Sequence, residues 1–521
     1  MKPVSDALWH FIKHLSSAEK LFLRRNYIGL STIKDPLYIL LFDAIEKQTV
    51  YNEADVLKKL SPDINPQNIA FQKHYLYQQV CNALVQYESK KNEDAVLFNQ
   101  VQLIQIFRRK GMLDEAKSLW RKTMLRARKS ESQAMIIMLR NEFERMLLWS
   151  DGKAGYDELN TLFKDNIVTY NEYAEVIVMR DIYAEVLVLK RNAHFDWADN
   201  TIPQRIEALL LLLPQPKKKL AHYFFWYRHY YRLCKATLLY LNNNNLAEAY
   251  NYILEVIADW KEHGDEYLKT DSEKFIDVLS MLNYIGTPLG KFKEVEAGFN
   301  DPFNDKITDP ILHAEFEALK YLTLNKLYHK MARYKEVADL ITYFKSHHDK
   351  WENKLNVETN RDVYISCAIS CFVLENYNDA LFFIKRGLLY FKDNTRVERV
   401  SLAQLFLLLI VYNMNHVKLF EAQYRSTYNY FYKKKNKHPF EKIIIQCLHG
   451  TFYQTNYANK VKEYKKALDL LEQNSDNEIQ KKVFAMFNFP RWLNSRIERV
   501  SYQQKVRLLV AEQAEAEAKA V

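Results

Sequence analysis

The sequence predicts an all-α protein: a right-handed α-solenoid of long helical hairpins, closed at its start by a helical N-terminal cap. Three observations carry this reading. A turn pattern recurs at a spacing of about 43 residues, as Gly111–Ala116, Asn244–Ala249, Ala332–Val337 and Glu375–Ala380. Each copy lies between two apolar stretches of helical period, as expected of stacked supersecondary units. Glycine and proline are scarce, 10 and 12 in 521 residues, well below the usual roughly 7% and 5%. That scarcity suits long uninterrupted helices and argues against Gly-rich phosphate loops or an all-β fold.

The N-terminal residues 1–90 stand outside the repeat. Ser16-Ser17-Ala18-Glu19 has the form of a capping box opening a helix to about Tyr27. Asp35-Pro36 puts proline at the first position of the next helix, toward Lys47. A short helix follows over Glu53–Leu60, then a turn through Ser61-Pro62 to Pro66. A long helix is expected from Gln67 to about Lys90, with Ile69, Tyr75, Leu76, Val80 and Leu84 on or near one face. Short helix, turn and long helix suit either a cap over the first apolar face or a helix-turn-helix-like module.

Helical repeats are expected over residues 91–485. The small residue of each second helix falls at Ala116, Leu159, Gln204, Ala249, Val295, Val337, Ala380, Ala422 and Lys460, in steps of about 38 to 46. A small side chain there lets two helices approach closely at their crossing; Lys460 departs from that rule. Residues 486–521 are expected to form a C-terminal capping helix with a charged Ala/Glu tail. Within the best copy, Tyr364, Cys367-Ala368, Cys371, Tyr377, Ala380, Ile384 and Gly387 occupy large and small positions in an order that resembles the tetratricopeptide repeat (TPR). The units here are longer than the about 34 residues of that family and generally lack its closing proline, so the resemblance is to a TPR-like fold. A second resemblance rests on Leu8, Phe11-Ile12-Lys13, Leu15-Ser16 and Glu19-Lys20, on Lys73–Tyr77, and on Trp492–Ile497. These look like a family of large, uncharacterised helical proteins of Bacteroidota. That resemblance implies helical repeats and a bacterial cytoplasm, and no activity.

Composition sets further bounds. With 48% hydrophobic and 26% charged residues, the chain can bury a large core. Lys13 and His14 interrupt the opening apolar stretch, so no secretory signal is expected. The longest apolar run, Leu402–Met414, contains Gln404 and Asn413 and is shorter than the about 20 residues of a membrane span. It reads as a buried core helix. Five cysteines without a Cys-x-x-Cys pair indicate reduced thiols and a cytoplasmic protein. The net charge is +10, and residues 425–521 carry 18 Lys and Arg against 10 Asp and Glu, which favours an acidic partner.

No catalytic, cofactor or metal site emerges. Gly286-Thr287-Pro288-Leu289-Gly290-Lys291 has three residues between its glycines and Phe292 after the lysine, so it fails the phosphate-loop pattern and reads as an inter-helix loop. His10 and His14 share a helix face but have no third ligand nearby. His347-His348 suits a helix end, and Cys367 and Cys371 coincide with repeat core positions. Two aromatic stretches remain. His222–Arg232 is aromatic nearly all round a helix. It is either packed on two sides or presents Tyr227, Arg228 and Tyr231 on the inner face, with Trp226, Tyr230 and Leu233 in the core. Tyr428–Pro439 joins aromatics to Lys433, Lys434 and Lys435, either as a solvated helix end or as a surface for an acidic partner or a single-stranded nucleic acid.

The expected role is a non-catalytic protein–protein interaction scaffold, binding a peptide or helix on the solenoid's inner surface through Tyr227, Arg228, Tyr231 and the Lys433–Lys435 run, without cofactor or membrane. The alternative is a nucleic-acid-linked regulator, with residues 50–90 as reader through Lys58, Lys59, Lys73 and His74. The repeat register makes one direct prediction. Ala380→Trp, at a close helix crossing, should cost roughly 1–3 kcal/mol or more. Asp379→Ala, expected to face solvent, should stay within about 0.5 kcal/mol. Equal shifts in thermal melting would reject the register.

Overall fold

The computed structural model describes residues 6–28, 37–89, 92–147, 153–195, 201–242, 245–265, 267–269, 271–391, 397–433 and 438–520. Among the described residues the regular structure is helical throughout. The chain divides into two units, residues 1–188 with 211–231, and residues 189–210 with 232–521.

The first unit opens with α1 (Ala7–His14), α2 (Ser17–Ile28), α3 (Leu37–Glu46), α4 (Glu53–Leu60) and α5 (Ile69–Glu88). The capping box forms: Ser16 N donates to Glu19 Oε2 at 2.6 Å and Glu19 N to Ser16 Oγ at 3.3 Å. Asp35 and Pro36 lie outside the described residues, as does Lys90. Helix α5 lies against α2 and α3, and Ile12, Leu41, Phe42, Ile45, Val56, Leu76 and Val80 share one core. Tyr75, expected on the buried face of α5, is exposed; Ala83 takes a buried place on that helix instead. A second core joins α6 (Glu93–Arg109), α7 (Leu113–Lys129) and α8 (Gln133–Leu147). There the Trp120 ring stacks on Phe143 at 4.1 Å, and its Nε1 donates to Leu139 O at 2.7 Å. Buried Glu142 accepts from Gln105 and from Arg108 across the α6–α8 contact, and from Arg145 one turn on. Helix α9 (Lys153–Phe195) follows.

The second unit takes the end of α9, the first part of α10 (Ile202–Leu212) and the later part of α11 (Phe225–Asn242). Then come α12 (Leu246–His263), α13 (Ser272–Gly286), α14 (Phe292–Phe299), α15 (Pro310–Lys330), α16 (Tyr334–Trp351), α17 (Val357–Val373), α18 (Tyr377–Leu388), α19 (Val397–Asn413), α20 (Val417–Lys433), α21 (Pro439–Phe452) and α22 (Tyr457–Gln473). The chain ends with α23 (Glu478–Met486), α24 (Phe489–Ile497) and α25 (Tyr502–Ala520). From α12 to α22 each helix packs on the next, and α13, α15 and α17 also pack in series, as do α19 and α21. Successive helices here differ in how far they are buried. Helix α17 is buried nearly all round, and α19 is buried from Ser401 to Val411 except at Gln404. Helices α16, α18 and α20 bury only a stripe, as an outer helix needs. The apolar run beginning at Leu402 is therefore a core helix, and among the described residues no helix is long and apolar enough to cross a membrane.

The recurring turn has a single mechanism. Gly111, Gly290, Ala332, Glu375 and Asn415 have φ of 78°, 72°, 53°, 62° and 54°, and each stands two residues before its second helix begins. This left-handed residue lets the chain close a Schellman cap. Met112 N bonds to Phe107 O at 2.9 Å, Arg333 N to Tyr328 O at 2.9 Å, and Asn376 N to Cys371 O at 2.8 Å. The fourth residue of the second helix is then buried: Ala116, Ala249, Val295, Val337 and Ala380 are all 0% exposed. In α20 that place belongs to Phe420, fully buried, while the expected anchor Ala422, two residues on, is exposed; position in the helix, not side-chain size, sets which residue is buried. Lys460 holds the equivalent place in α22 and is half-buried. Gln204 is exposed in α10, and the side chain of Leu159 lies outside the described residues. Asp379 does more than face solvent: it pairs with Lys345 and accepts from Asn376 Nδ2 at 2.5 Å.

At the end of the chain, Phe487 meets Phe372 at 5.6 Å and Phe406 at 4.9 Å. Gln503 Nε2 donates to Val373 O at 2.8 Å, and the Arg507 guanidinium lies 5.5 Å from the Tyr334 ring. Residues 487–507 thus run across the end of α17, the start of α16 and the middle of α19.

A non-glycine residue in the left-handed region carries about 1–2 kcal/mol of strain. Ala332→Gly and Glu375→Gly should therefore each raise the melting temperature, by the equivalent of about 1 kcal/mol. Gly substitution one turn earlier, at Tyr328 or Cys371, should lower it. A fall in melting temperature for the two turn variants would refute this account of the turn.

Candidate functional site

The aromatic helix expected to carry the binding surface is a core element. Tyr227 and Tyr231 are buried, as are Arg228, Tyr230 and Leu233, while Trp226 is half-buried. Tyr227 stacks on Tyr223 at 4.1 Å and lies 6.1 Å from Tyr231. Tyr230 packs on Tyr183 of α9 at 5.3 Å. Arg228 Nη1 donates to Tyr223 O at 2.6 Å, and Phe225 N donates to Glu131 Oε2 at 2.7 Å. Burial pushes the Tyr227 hydroxyl well above its ordinary pKa. The inner-face placement of Tyr227, Arg228 and Tyr231 is thus corrected: α9 and the chain ahead of α11 cover the side that a simple repeat would leave open. Lys433 is exposed at the end of α20, and Lys434 and Lys435 lie outside the described residues.

The other sequence candidates fall on structural positions. Gly286–Lys291 forms the turn between α13 and α14. Cys367 and Cys371 are buried, and burial pushes the Cys367 thiol well up. His10 lies 3.3 Å from Asp6, and His347 stacks on Tyr343 at 4.2 Å. Lys73, expected to meet phosphate, is held by Glu53 at 2.9 Å and lies 5.0 Å from the Tyr51 ring.

The residues the structure does bring together belong to α13, α15 and α17 and the end of α9. Ile311, Glu315, Leu319, Leu322, Lys326 and His329 run down one side of α15 as its least buried stripe. Asp277, Ser280 and Tyr284 form the corresponding stripe on α13, and Asp362, Ser366 and Ile369 that on α17. Hydrogen bonds tie α15 to α17 along this side: Asn325 Nδ2 to Ser366 Oγ at 2.8 Å, Ser370 Oγ to Asn325 Oδ1 at 2.9 Å, and His329 Nε2 with Ser370 Oγ at 2.9 Å. Lys190 of α9 places its Nζ 5.3 Å from the Tyr284 ring, and Tyr240 of α11 lies 6.1 Å from the same ring.

Burial shifts three charged groups on this side. Lys326 is exposed, yet desolvation, with Lys330 adding repulsion, lowers its pKa. Desolvation also lowers Lys190, against the pull of Asp277. Glu315 is raised by burial, then by Asp309 and Asp277. A charge that solvent reaches but that is nonetheless desolvated has protein beside it on several sides without being covered. Acidic groups crowd toward the start of α15 and basic groups toward its end. None of Lys190, Tyr284, Lys326 and His329 stood out in the sequence. For the last three the available signal was positional: polar residues on the more open stripe of largely buried helices.

No family model matches the chain, and no curated protein matches it.

Burial lowers the His329 pKa to about 4, from an ordinary value of 6.5. The folded state therefore resists protonation that the unfolded chain accepts. The resulting stability is complete above the unfolded value and is lost as pH falls from about 6.5 toward about 4. His329→Gln, which keeps a hydrogen-bonding group beside Ser370, should flatten the dependence of melting temperature on pH across that window. An unchanged slope in calorimetry would remove His329 from the acid response.

Proposed function

We propose that this chain is a TPR-like helical solenoid acting as a non-catalytic protein-interaction scaffold, and that it binds a peptide or helix of a partner along the open stripes of α13, α15 and α17. The carrying observation is a side that we read as a recess: Lys326 and Glu315 on α15 and Lys190 at the end of α9 are reachable by solvent yet desolvated. Surfaces of this kind hold a ligand by apolar contact from residues such as Leu319, Leu322 and Tyr284, with charged groups setting orientation. Crowded like charges at each end of α15 favour a partner bearing basic residues toward Glu315 and acidic residues toward Lys326. The right-handed stacking, the likeness to the Bacteroidota helical proteins and a reducing bacterial cytoplasm belong to the same proposal. The contact order from α12 to α22 and five unpaired cysteines support it.

The test is selection from a displayed random-peptide library, followed by titration calorimetry of the enriched sequences. Lys326→Glu, Glu315→Lys and Tyr284→Ala should each weaken binding at least about tenfold, a loss of about 1.4 kcal/mol. Asp339→Ala on the outer helix α16 should leave it unchanged. Failure to enrich any sequence, or enriched peptides indifferent to the three recess substitutions, would sink the proposal.

A further inference from the structure

A different face of the second unit carries an aromatic ladder. Tyr424, Tyr428 and Tyr432 are spaced i, i+4, i+8 on α20, and their ring centroids are 6.0 and 6.1 Å apart, the second pair stacked at 14°. Tyr428 is 46% and Tyr432 65% exposed. The neighbouring helix α21 continues the surface: the exposed His449 ring stacks on Tyr424 at 4.1 Å, and the exposed Tyr453 lies 5.8 Å beyond it. Gly450, next to His449 on α21, has open space about it.

The charges around the ladder are one-sided. Across α20 and α21 the exposed cations are Lys418, Arg425, Lys433 and Lys442, against a single exposed carboxylate, Glu421. Glu421 is itself engaged by the Tyr453 hydroxyl at 3.3 Å. The other acid of this pair of helices, Glu441, is buried and bonded to Ser401 Oγ at 2.6 Å. A row of aromatic rings, with Tyr428, Tyr432 and His449 exposed, within a cationic field is the combination that holds a single-stranded nucleic acid. The rings receive bases by stacking and the cations meet phosphates. Successive rings here stand farther apart than the about 3.4 Å rise of a strand within a duplex, so the ladder matches splayed bases. A duplex, whose base faces are hidden, offers the rings nothing to stack on.

We propose that the α20–α21 face binds single-stranded nucleic acid, RNA or DNA, through Tyr424, Tyr428, Tyr432 and His449, with Arg425 and Lys442 flanking the strand. This site is separate from the recess on α13, α15 and α17, and its test does not depend on the scaffold reading. Fluorescence anisotropy of the full chain with labelled oligo-uridine and oligo-thymidine of about 15 nucleotides should show binding at low salt that weakens steeply as salt rises. A duplex of equal length should bind more weakly. Tyr428→Ala and Tyr432→Ala should each weaken single-strand binding about fivefold or more. Tyr428→Phe and Tyr432→Phe should remain within about twofold, because the ring face is kept, and Arg425→Glu with Lys442→Glu should reduce the salt slope. If the alanine variants fold poorly, photo-crosslinking of 5-bromouridine oligomers to the unmodified chain replaces them, with adducts expected on α20 or α21. The proposal is overturned if the chain retains no single strand at low salt, or if duplex binds as tightly. It also fails if ring removal changes nothing, if crosslinks fall on other helices, or if the face proves instead to capture only acidic proteins.

Discussion

The left-handed residue between paired helices is the constraint on which the rest of the described structure depends. Once Gly111, Gly290, Ala332, Glu375 or Asn415 turns the chain, the second helix starts two residues later and its fourth residue meets the first helix. Where that residue is small, as at Ala116, Ala249 and Ala380, the helices approach closely. Where it is Phe420, the ring itself is swallowed, stacking on Phe452 of α21 at 3.9 Å. Only two of the five turn positions are glycine, so the tertiary contacts that follow the turn must outweigh the strain at the other three.

The turn also sorts helices into two kinds. Helices such as α17 and α19 are enclosed by neighbours on several sides, while α16 and α18 bury only a stripe. Enclosure explains why polar groups on the first helices are paired with one another. Asn325, Ser366, Ser370 and His329 satisfy each other across α15 and α17, since an unpaired buried polar group would cost about 1–3 kcal/mol. It equally explains why the one stripe left open on α15 is desolvated. The same packing that builds the core leaves this stripe open.

Two tyrosine ladders show how little a local pattern says about environment. Tyr223, Tyr227 and Tyr231 repeat at four-residue steps and are buried; Tyr424, Tyr428 and Tyr432 repeat identically, and the last two are exposed. Within α11 the Tyr227 ring is met by Tyr223, just ahead of the helix, and the adjoining Tyr230 by Tyr183 of α9. The outer side of α20 has cations at intervals instead. Helical periodicity places Tyr227 with Tyr231, and Tyr424 with Tyr428 and Tyr432, on one face, and only the neighbours decide whether that face is core or surface.

The sequence by itself determined the all-helical class, the capping box at Ser16, the extent of α4, the core character of α19 and the burial of Ala116, Ala249, Val295, Val337 and Ala380. These depend on interactions within a few residues along the chain: a cap, a period, a turn, a small side chain at a set distance from it. The tertiary structure alone decided that Tyr227, Arg228 and Tyr231 are interior, that Phe420 rather than Ala422 anchors its pair, and that Lys73 is already bound to Glu53. It alone assembled Lys190, Tyr284, Glu315 and Lys326, which are separated by up to about 136 positions along the chain. The physical reason is that burial and desolvation are set by whatever packs from outside a segment, and a helix of uniform period carries no local record of which of its faces will be covered.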